Sequence, residues 1–185
     1  VNIQSEKIVF ATGGYGGKEI KDLKSYWLPI KTFIGVTKPI GNELQSVLKK
    51  PLGFSDNRRA GNYYRVLPGN RLSWGRGISA VGKFTSASLK RAISKEICYF
   101  FPELRNVEID YVWSGNMAYA SHYMPYVGST KIGNEEKNVF TLMGFGGHGM
   151  NTAPGSAMVL ADFILGKSSK HEVFNRFRRK WNGGL

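Results

Sequence analysis

The chain has 185 residues with a formal net charge of +13, and 42% of its residues are hydrophobic. This length suits one ordinary domain or two small interleaved lobes, and the apolar content with four tryptophans favours a folded core over disorder. The basic residues are dispersed along the chain rather than clustered. We therefore interpret the charge as a solvated surface and expect no nucleic-acid partner.

Cysteine and histidine usage limits the chemistry of the chain. Cys98 is the only cysteine, which excludes an intrachain disulfide and a cysteine zinc site, suits a reducing compartment and predicts a cytoplasmic protein. The three histidines share no metal-ligand spacing, so we expect no bound metal. No uninterrupted apolar run approaches the length of a membrane span, so we expect no integral membrane segment.

Hydrophobic periodicity and turn residues divide the chain into strands and helices. Strands are predicted over residues 7–12, 28–38, 62–67, 71–75, 107–112 and 139–143, and helices over residues 42–49, 85–101, 151–165 and 170–181. The first strand is expected to be buried, and the Pro68-Gly69-Asn70 turn predicts a β-hairpin. The stripe of the third helix expected to face the core is Ala153, Ala157, Leu160, Ala161 and Ile164. The pattern predicts a mixed α/β chain, with a sheet lobe between two parts of a nucleotide-type domain.

The most informative stretch is the glycine loop Gly144–Met150, which lies between a predicted strand and a predicted helix. Glycines lack a Cβ and let the backbone approach a ligand closely. The helix start offers N–H groups and a positive dipole end to an anionic or electron-rich group. The loop therefore predicts a cofactor that carries phosphate or developing negative charge, and a glycine-rich connection without a ligand is the alternative. His148 is expected to be neutral, and its alternative role is to hold the loop.

The hairpin carries a second group of candidates. Tyr64 and Arg65 lie on one strand and Trp74 on the returning strand. An arginine beside aromatic rings can grip a carboxylate with two hydrogen bonds, whereas ordinary cross-strand aromatic packing with an exposed arginine is the alternative. Residues 64 and 65 face opposite ways on a flat strand, so both line one cavity only if the strand twists or bulges. Trp113-Ser114-Gly115 suits either a core or close approach to a flat ring system.

Several motifs occur in one order along nearly the whole chain. They are Ala11-Thr12-Gly13-Gly14, Tyr64-Arg65 followed by Arg71-Leu72-Ser73-Trp74-Gly75, Trp113-Ser114-Gly115, Pro125-Tyr126-Val127-Gly128 and Gly144-Phe145-Gly146-Gly147-His148-Gly149. As an ordered set they resemble the C-terminal half of a flavin-dependent amine oxidase of the D-amino-acid oxidase type. The gamma-glutamylputrescine oxidase, glycine oxidase and sarcosine oxidase groups are the most similar.

The resemblance implies a mixed α+β fold made of the C-terminal part of an FAD-binding domain and an antiparallel-sheet substrate lobe. Residues 1–21 would be a strand and glycine turn of the FAD-binding domain, residues 22–106 the substrate lobe, and residues 107–185 the return into the FAD-binding domain. The family's Gly-x-Gly-x-x-Gly fingerprint after its first strand, which binds the FAD pyrophosphate, has no counterpart at that place. We therefore expect the N-terminal Rossmann part to be absent.

The resemblance also implies the roles of particular residues. Those expected to bind FAD are Thr12, Gly13, Trp113, Gly115, Gly144, Gly146, Gly147, His148, Gly149 and Met150, and those expected to bind substrate are Tyr64, Arg65 and Trp74. No catalytic residue is assigned.

The implied activity is oxidation of the C–N bond of a small amine or amino acid, with hydride transfer to FAD and hydrolysis of the imine. Because the pyrophosphate anchor is missing, we expect the chain alone to bind FAD weakly or not at all. The expected partners are a companion chain that carries the N-terminal FAD-binding part, or a second copy of this chain. The alternative is a non-catalytic truncated remnant or an interaction module of a split flavoenzyme.

Overall fold

A computed structural model describes residues 2–16, 25–58, 60–79, 84–131 and 138–176. The chain forms two compact units: unit 1 comprises Val1–Ile30 and Asn116–Leu185, and unit 2 comprises Lys31–Gly115. The predicted domain boundaries fall after residues 21 and 106, whereas the units divide after residues 30 and 115.

Eight strands and four α-helices are found in the described residues. They are β1 (Ile8–Phe10), β2 (Trp27–Thr37), α1 (Glu43–Val47), β3 (Gly53–Ser55), β4 (Tyr63–Leu67), β5 (Arg71–Ser79), α2 (Ser86–Phe100), β6 (Ile109–Ala120), β7 (Tyr126–Ser129), β8 (Val139–Met143), α3 (Gly149–Ile164) and α4 (Glu172–Asn175). Short 3-10 turns occupy Gly13–Tyr15 and Pro102–Leu104. The predicted last helix extends to residue 181, and its part beyond Arg176 lies outside the described residues.

The larger sheet has the strand order β3-β4-β5-β2-β6, and the pairings β3–β4, β4–β5 and β5–β2 are antiparallel. The predicted hairpin is confirmed as β4 and β5, and the predicted mixed α/β fold with an antiparallel sheet is confirmed as well. The core of unit 2 contains the buried residues Leu44, Leu48, Leu72, Trp74, Ile93, Ile97, Leu104 and Ile109.

Helix α2 covers this core because its sequence places apolar residues one turn apart. Leu89, Ile93 and Ile97 are buried. Thr85 and Ser88 form a reciprocal cap in which each backbone N–H donates to the other's hydroxyl oxygen, 3.1 Å in both cases. The helix ends before Pro102, as predicted.

Unit 1 contains a three-stranded sheet of order β1-β8-β7, in which β1 runs parallel to β8 and β7 runs antiparallel to it. The expectation that β1 is buried is wrong, since Ile8 and Val9 are 43% and 45% exposed. The physical reason is that β1 is an edge strand, with β8 as its only neighbour in the described residues.

The face that α3 turns to the core matches the predicted stripe only in part. Leu160 is buried and Ile164 packs against the core, as expected, whereas Ala157 and Ala161 are exposed. Ser156 is buried instead, and Phe163 packs edge-on against Phe140 with ring centroids 5.9 Å apart. Two adjacent faces of this helix are apolar, so periodicity does not distinguish them. The bulkier Phe163 decides which face is buried.

Candidate functional site

The two glycine turns of unit 1 follow strands that end at the same edge of its sheet. Strands β1 and β8 are parallel, so their carboxyl ends lie side by side. Strand β1 leads into the turn Gly13–Tyr15, and β8 leads into the loop that begins at Gly144 and continues into α3. The carboxyl edge of parallel strands is where ligands bind in α/β sheets.

Strand β6 forms hydrogen bonds with both glycine turns. The Asn116 N–H donates to the Tyr15 hydroxyl at 3.0 Å, and a Cβ on Gly14 would lie 2.7 Å from the Asn116 carbonyl carbon, so residue 14 must be glycine. Two residues further along the strand, the Gly146 N–H donates to the Ala118 carbonyl at 2.8 Å. A short stretch of β6 therefore fixes the backbone of both predicted cofactor turns.

The loop after β8 depends on glycine for its conformation. Gly144 and Gly146 have φ of +88° and +61°, in the left-handed region that side chains rarely adopt. A Cβ on Gly146 would lie 3.3 Å from Tyr119 Cε1, and a Cβ on Gly147 would lie 3.2 Å from the Tyr119 hydroxyl. The neighbour that a Cβ would crowd at both positions is thus Tyr119, a residue that the sequence does not single out.

Helix α3 begins with unpaired backbone donors. Its N-cap is His148, whose carbonyl accepts from the Thr152 N–H at 3.3 Å and from the Thr152 hydroxyl at 2.7 Å. The N–H groups of the preceding first turn have no acceptor within the helix. No side-chain cap and no acidic first-turn residue occur in this fully described helix, and Met150 is 96% exposed. This open helix start fits an anionic or electron-rich group.

The loop also contains the spacing Gly-x-Gly-x-x-Gly, formed by Gly144, Gly146 and Gly149. A dinucleotide fingerprint works within a strand-helix-strand unit whose second strand is parallel to the first. Helix α3 instead leads to α4, and the described residues contain no later strand beside β8. The spacing therefore adds no evidence for a pyrophosphate site here.

The hairpin of unit 2 separates its predicted residues onto two faces. The described pairs of β3, β4 and β5 run in continuous register, so Tyr64 and Arg65 point to opposite sides of the sheet. Tyr64 stacks on Trp74 with ring centroids 4.5 Å apart, and Trp74 is fully buried. The bulge that would bring Tyr64 and Arg65 to one side is not found among these pairs.

Arg65 is exposed and lies between small neighbours. Its cross-strand partners are Gly53 and Ser73, and no carboxylate pairs with it in the described residues. By contrast, Arg71 and Arg76 on β5 form ion pairs with Asp110 and Glu96 at 2.7 and 2.9 Å. A groove of about 240 Å³ surrounds Arg65, lined by Gly53, Phe54, Tyr63, Tyr64, Arg65 and Ser73. Trp74 is not part of this lining.

The remaining predicted cofactor residues are placed as follows. Thr12 is exposed and precedes the first glycine turn in unit 1, while Trp113 and Gly115 lie on the part of β6 that belongs to unit 2, where Trp113 is 49% exposed. The described part of the chain has no cluster of three or more side chains that could hold a metal ion. None of its helices is both long and apolar enough to cross a membrane.

Glycine turns at the carboxyl edge of parallel strands, next to an open helix N-terminus, are typical of cofactor-binding α/β proteins. The chain belongs to the family of FAD dependent oxidoreductases, which it matches over residues 1–163. The resemblance predicted from the ordered motifs is thereby confirmed.

The chain is similar to gamma-glutamylputrescine oxidoreductase of Escherichia coli K12, with 24% identity over 93% of this chain and 39% of that protein. It is also similar to the probable oxidoreductase OrdL of Rhizobium meliloti, with 26% identity over 95% of this chain and 40% of that protein. The chain thus spans about two fifths of the length of these curated relatives.

Among solved structures, glycine oxidase from Bacillus cereus has the same fold over 95% of this chain and 46% of its own, with a TM-score of 0.70 and 20% identity. At this identity the likeness concerns the fold alone.

Proposed function

We propose that the chain forms the flavin-ring side and the substrate lobe of an FAD-dependent oxidoreductase that oxidises the C–N bond of a small amine or amino acid. The observation that carries the proposal is the pair of glycine turns fixed by β6 beside the open start of α3. Family membership supports the cofactor, and the similarity to an oxidoreductase of gamma-glutamylputrescine supports the substrate class.

The proposed cofactor residues are those of the two turns together with the tryptophan segment of β6. They are Thr12, Gly13, Trp113, Gly115, Gly144, Gly146, Gly147, His148, Gly149 and Met150. Bound FAD would supply an acceptor for the hydride of the carbon bonded to the amine nitrogen, the nitrogen would lose a proton, and water would hydrolyse the resulting imine. The first-turn N–H groups of α3 would favour negative charge at this edge, because the helix dipole is positive there.

On the substrate side we propose that Arg65 holds an anionic group of the substrate. Its guanidinium has no carboxylate partner in the described residues, and it lies in an open groove between Gly53 and Ser73. Tyr64 points to the opposite side of the strand, where it would support the groove from the core by stacking on Trp74. No catalytic side chain is proposed.

A second candidate function is that of a non-catalytic remnant or an interaction module of a split flavoenzyme. The observation that favours it is the apolar surface of unit 1. Ile8 and Val9 point to opposite faces of β1 and are both about half exposed, whereas strands in parallel sheets are usually buried on both faces. On α3, Met158 and Leu165 are 72% and 64% exposed. A companion chain or a second copy of this chain would cover such a surface.

The cysteine content of the chain bears on its cellular location. We propose a cytoplasmic location, supported by the single cysteine, Cys98, which is free in the structure.

A titration of the purified chain with FAD, followed by its absorption and fluorescence, tests the proposed function. We expect binding weaker than submicromolar and a similar affinity for riboflavin, since the chain would contact the ring rather than the pyrophosphate. ADP is the matched control, because a chain of net charge +13 can attract phosphates without a specific site.

The outcomes separate the two candidates. ADP binding as strong as FAD binding, or stoichiometric submicromolar FAD binding, would contradict the proposal as stated. A chain that binds no flavin but self-associates in sedimentation experiments would favour the interaction module.

A further inference from the structure

Tyr119 lies directly against the glycine loop. Strand alternation places it opposite Ala118 and Ala120, which are 4% and 2% exposed and belong to the core of unit 1. The backbone of Tyr119 forms an antiparallel bridge with Phe145, and its neighbour Ala118 accepts the Gly146 N–H. The side chain therefore points to the loop side of β6.

The ring and the hydroxyl of Tyr119 meet different glycines. The three nearest atoms to a Cβ on Gly146 would all be ring atoms of Tyr119, at 3.3, 3.4 and 3.6 Å. For a Cβ on Gly147, the Tyr119 hydroxyl at 3.2 Å would be the only atom within 4 Å in the described structure. Burial raises the pKa of Tyr119 above its usual value, as expected of a phenol packed against backbone.

Gly146 and Gly147 are glycine for separate reasons. Gly146 has φ of +61° and needs glycine for its conformation, whatever surrounds it. Gly147 is not among the residues with positive φ, so its backbone tolerates alanine. The Tyr119 hydroxyl alone stands where that alanine's methyl group would go.

We propose that Tyr119 is a positioning residue of the flavin site. Its ring supports Gly146 and its hydroxyl lies against Gly147, so the residue directs the start of α3 towards the ligand, and the hydroxyl disfavours a side chain at position 147. This inference rests on the proposed function for the identity of the ligand. The contact between Tyr119 and the loop does not depend on it.

The test is a double-mutant cycle of Gly147→Ala and Tyr119→Phe. Its first readout is amide hydrogen exchange of Gly146 and His148, which donate to Ala118 and Phe145. We expect Gly147→Ala to accelerate exchange about ten-fold when Tyr119 is present. The corresponding coupling energy lies in the usual range for residues in contact. Tyr119→Phe alone should change exchange by less than about two-fold, and the double variant should resemble it, because the atom that meets the methyl group is gone.

Tyr99→Phe serves as the matched control, because Tyr99 is 80% exposed and lies in unit 2. Combined with Gly147→Ala it should restore nothing. If the Gly147→Ala and Tyr119→Phe effects are additive, or if Tyr99→Phe restores slow exchange as well, the inference is overturned.

The second readout is FAD affinity of the same variants. We expect Gly147→Ala to weaken FAD binding about ten-fold and Tyr119→Phe to restore it in the double variant, following the exchange rates. If the variants show clear coupling in their amide exchange rates but unchanged FAD affinity, the positioning role of Tyr119 is overturned. Coupling in exchange without FAD binding by the unaltered chain would overturn the flavin role of Tyr119 in this chain, whereas the proposed function would fail only if FAD also does not bind once the N-terminal FAD-binding part is supplied.

Discussion

Units 1 and 2 differ in what sits at their most constrained positions. In unit 2 these positions are aromatic rings in the core: Tyr64 stacks on Trp74, and Trp74 is fully buried beneath α2. In unit 1 they are glycines in the loop that follows β8, where Gly144 and Gly146 adopt φ of +88° and +61°. The core of unit 2 depends on the packing of aromatic side chains, whereas the loop of unit 1 depends on glycines that have no Cβ.

The two units are therefore sensitive to different kinds of substitution. Removing atoms from the unit 2 core leaves a cavity and lowers the free energy of unfolding. Adding atoms to the unit 1 loop changes a backbone that presents N–H groups to a ligand, so binding should suffer more than stability. The comparison would be wrong if core substitutions in unit 2 left stability unchanged, or if loop substitutions in unit 1 lowered stability more than binding.

The largest effect is expected for Trp74→Ala. Loss of a fully buried indole that contacts Tyr64 and Phe101 should lower the free energy of unfolding by about 3–5 kcal/mol. Chemical denaturation measures it. Trp113→Ala is the matched control, because Trp113 is 49% exposed in the same unit and its loss should cost much less. Equal costs for the two tryptophans would show that the stack does not carry the stability of unit 2.

Arg65→Ala should separate binding from stability within unit 2. Because Arg65 is exposed and makes no ion pair in the described residues, its removal should leave the unfolding free energy nearly unchanged. Loss of a charge-assisted contact to the substrate should cost about 1.5–3 kcal/mol. That equals roughly a ten- to hundred-fold loss of kcat/KM.

Steady-state kinetics of a reconstituted enzyme checks the Arg65 prediction. Arg91→Ala, which removes an exposed arginine from α2, is the control. An Arg65→Ala enzyme within two-fold of wild type would make Arg65 a surface residue and place any substrate carboxylate elsewhere.

Gly146→Val tests the loop of unit 1. A β-branched residue at φ of +61° is strained by about 1–3 kcal/mol, and its Cβ would press on the Tyr119 ring at 3.3 Å. We expect FAD affinity to fall while most of the unit 1 core remains folded, as monitored by FAD titration and circular dichroism. Gly155→Val is the control, since no atom lies within 4 Å of a Cβ at that described position. Equal affinity of both variants for FAD would contradict the expectation.

The elements that sequence reasoning predicts well have local signals. The hairpin follows from Pro68-Gly69-Asn70, and α2 follows from its apolar spacing and Pro102. Strands β3 and β7 were not predicted, because they have three and four residues and exist through pairing with distant partners. Their sequences carry too little periodicity to be recognised alone.

The same distinction applies to the candidate site. The glycine loop and the helix after it are visible in sequence, because their signal is contiguous. The role of Tyr119 is not, since it depends on the long-range register that sets Ala118 beside Gly146. Likewise the separation of Tyr64 from Arg65 needed the observed register of β3, β4 and β5, because alternation alone left a bulge as an alternative.

The smallest effect is expected in the loop between β3 and β4 of unit 2, where Asp56 holds the backbone. Its carboxylate accepts hydrogen bonds from the Arg58 side chain, from the Arg58 N–H at 3.0 Å and from the Asn62 N–H at 2.9 Å. The hydrogen bond from the Arg58 guanidinium is the main cause that lowers the pKa of Asp56 from 3.8 to about 2.

A lowered pKa in the folded state means that Asp56 stabilises the fold above the unfolded pKa near 3.8, and that this contribution is lost as the pH falls towards about 2. We expect Asp56→Asn to flatten the pH dependence of the unfolding free energy between these values, and only modestly, because solvent screens this ion pair. Asp162→Asn, at an exposed carboxylate of α3, should leave the profile unchanged. If wild type and Asp56→Asn lose stability in parallel through this window, the Asp56 carboxylate does not organise the loop, and the backbone hydrogen bond from Gly61 to Arg58 must hold it instead.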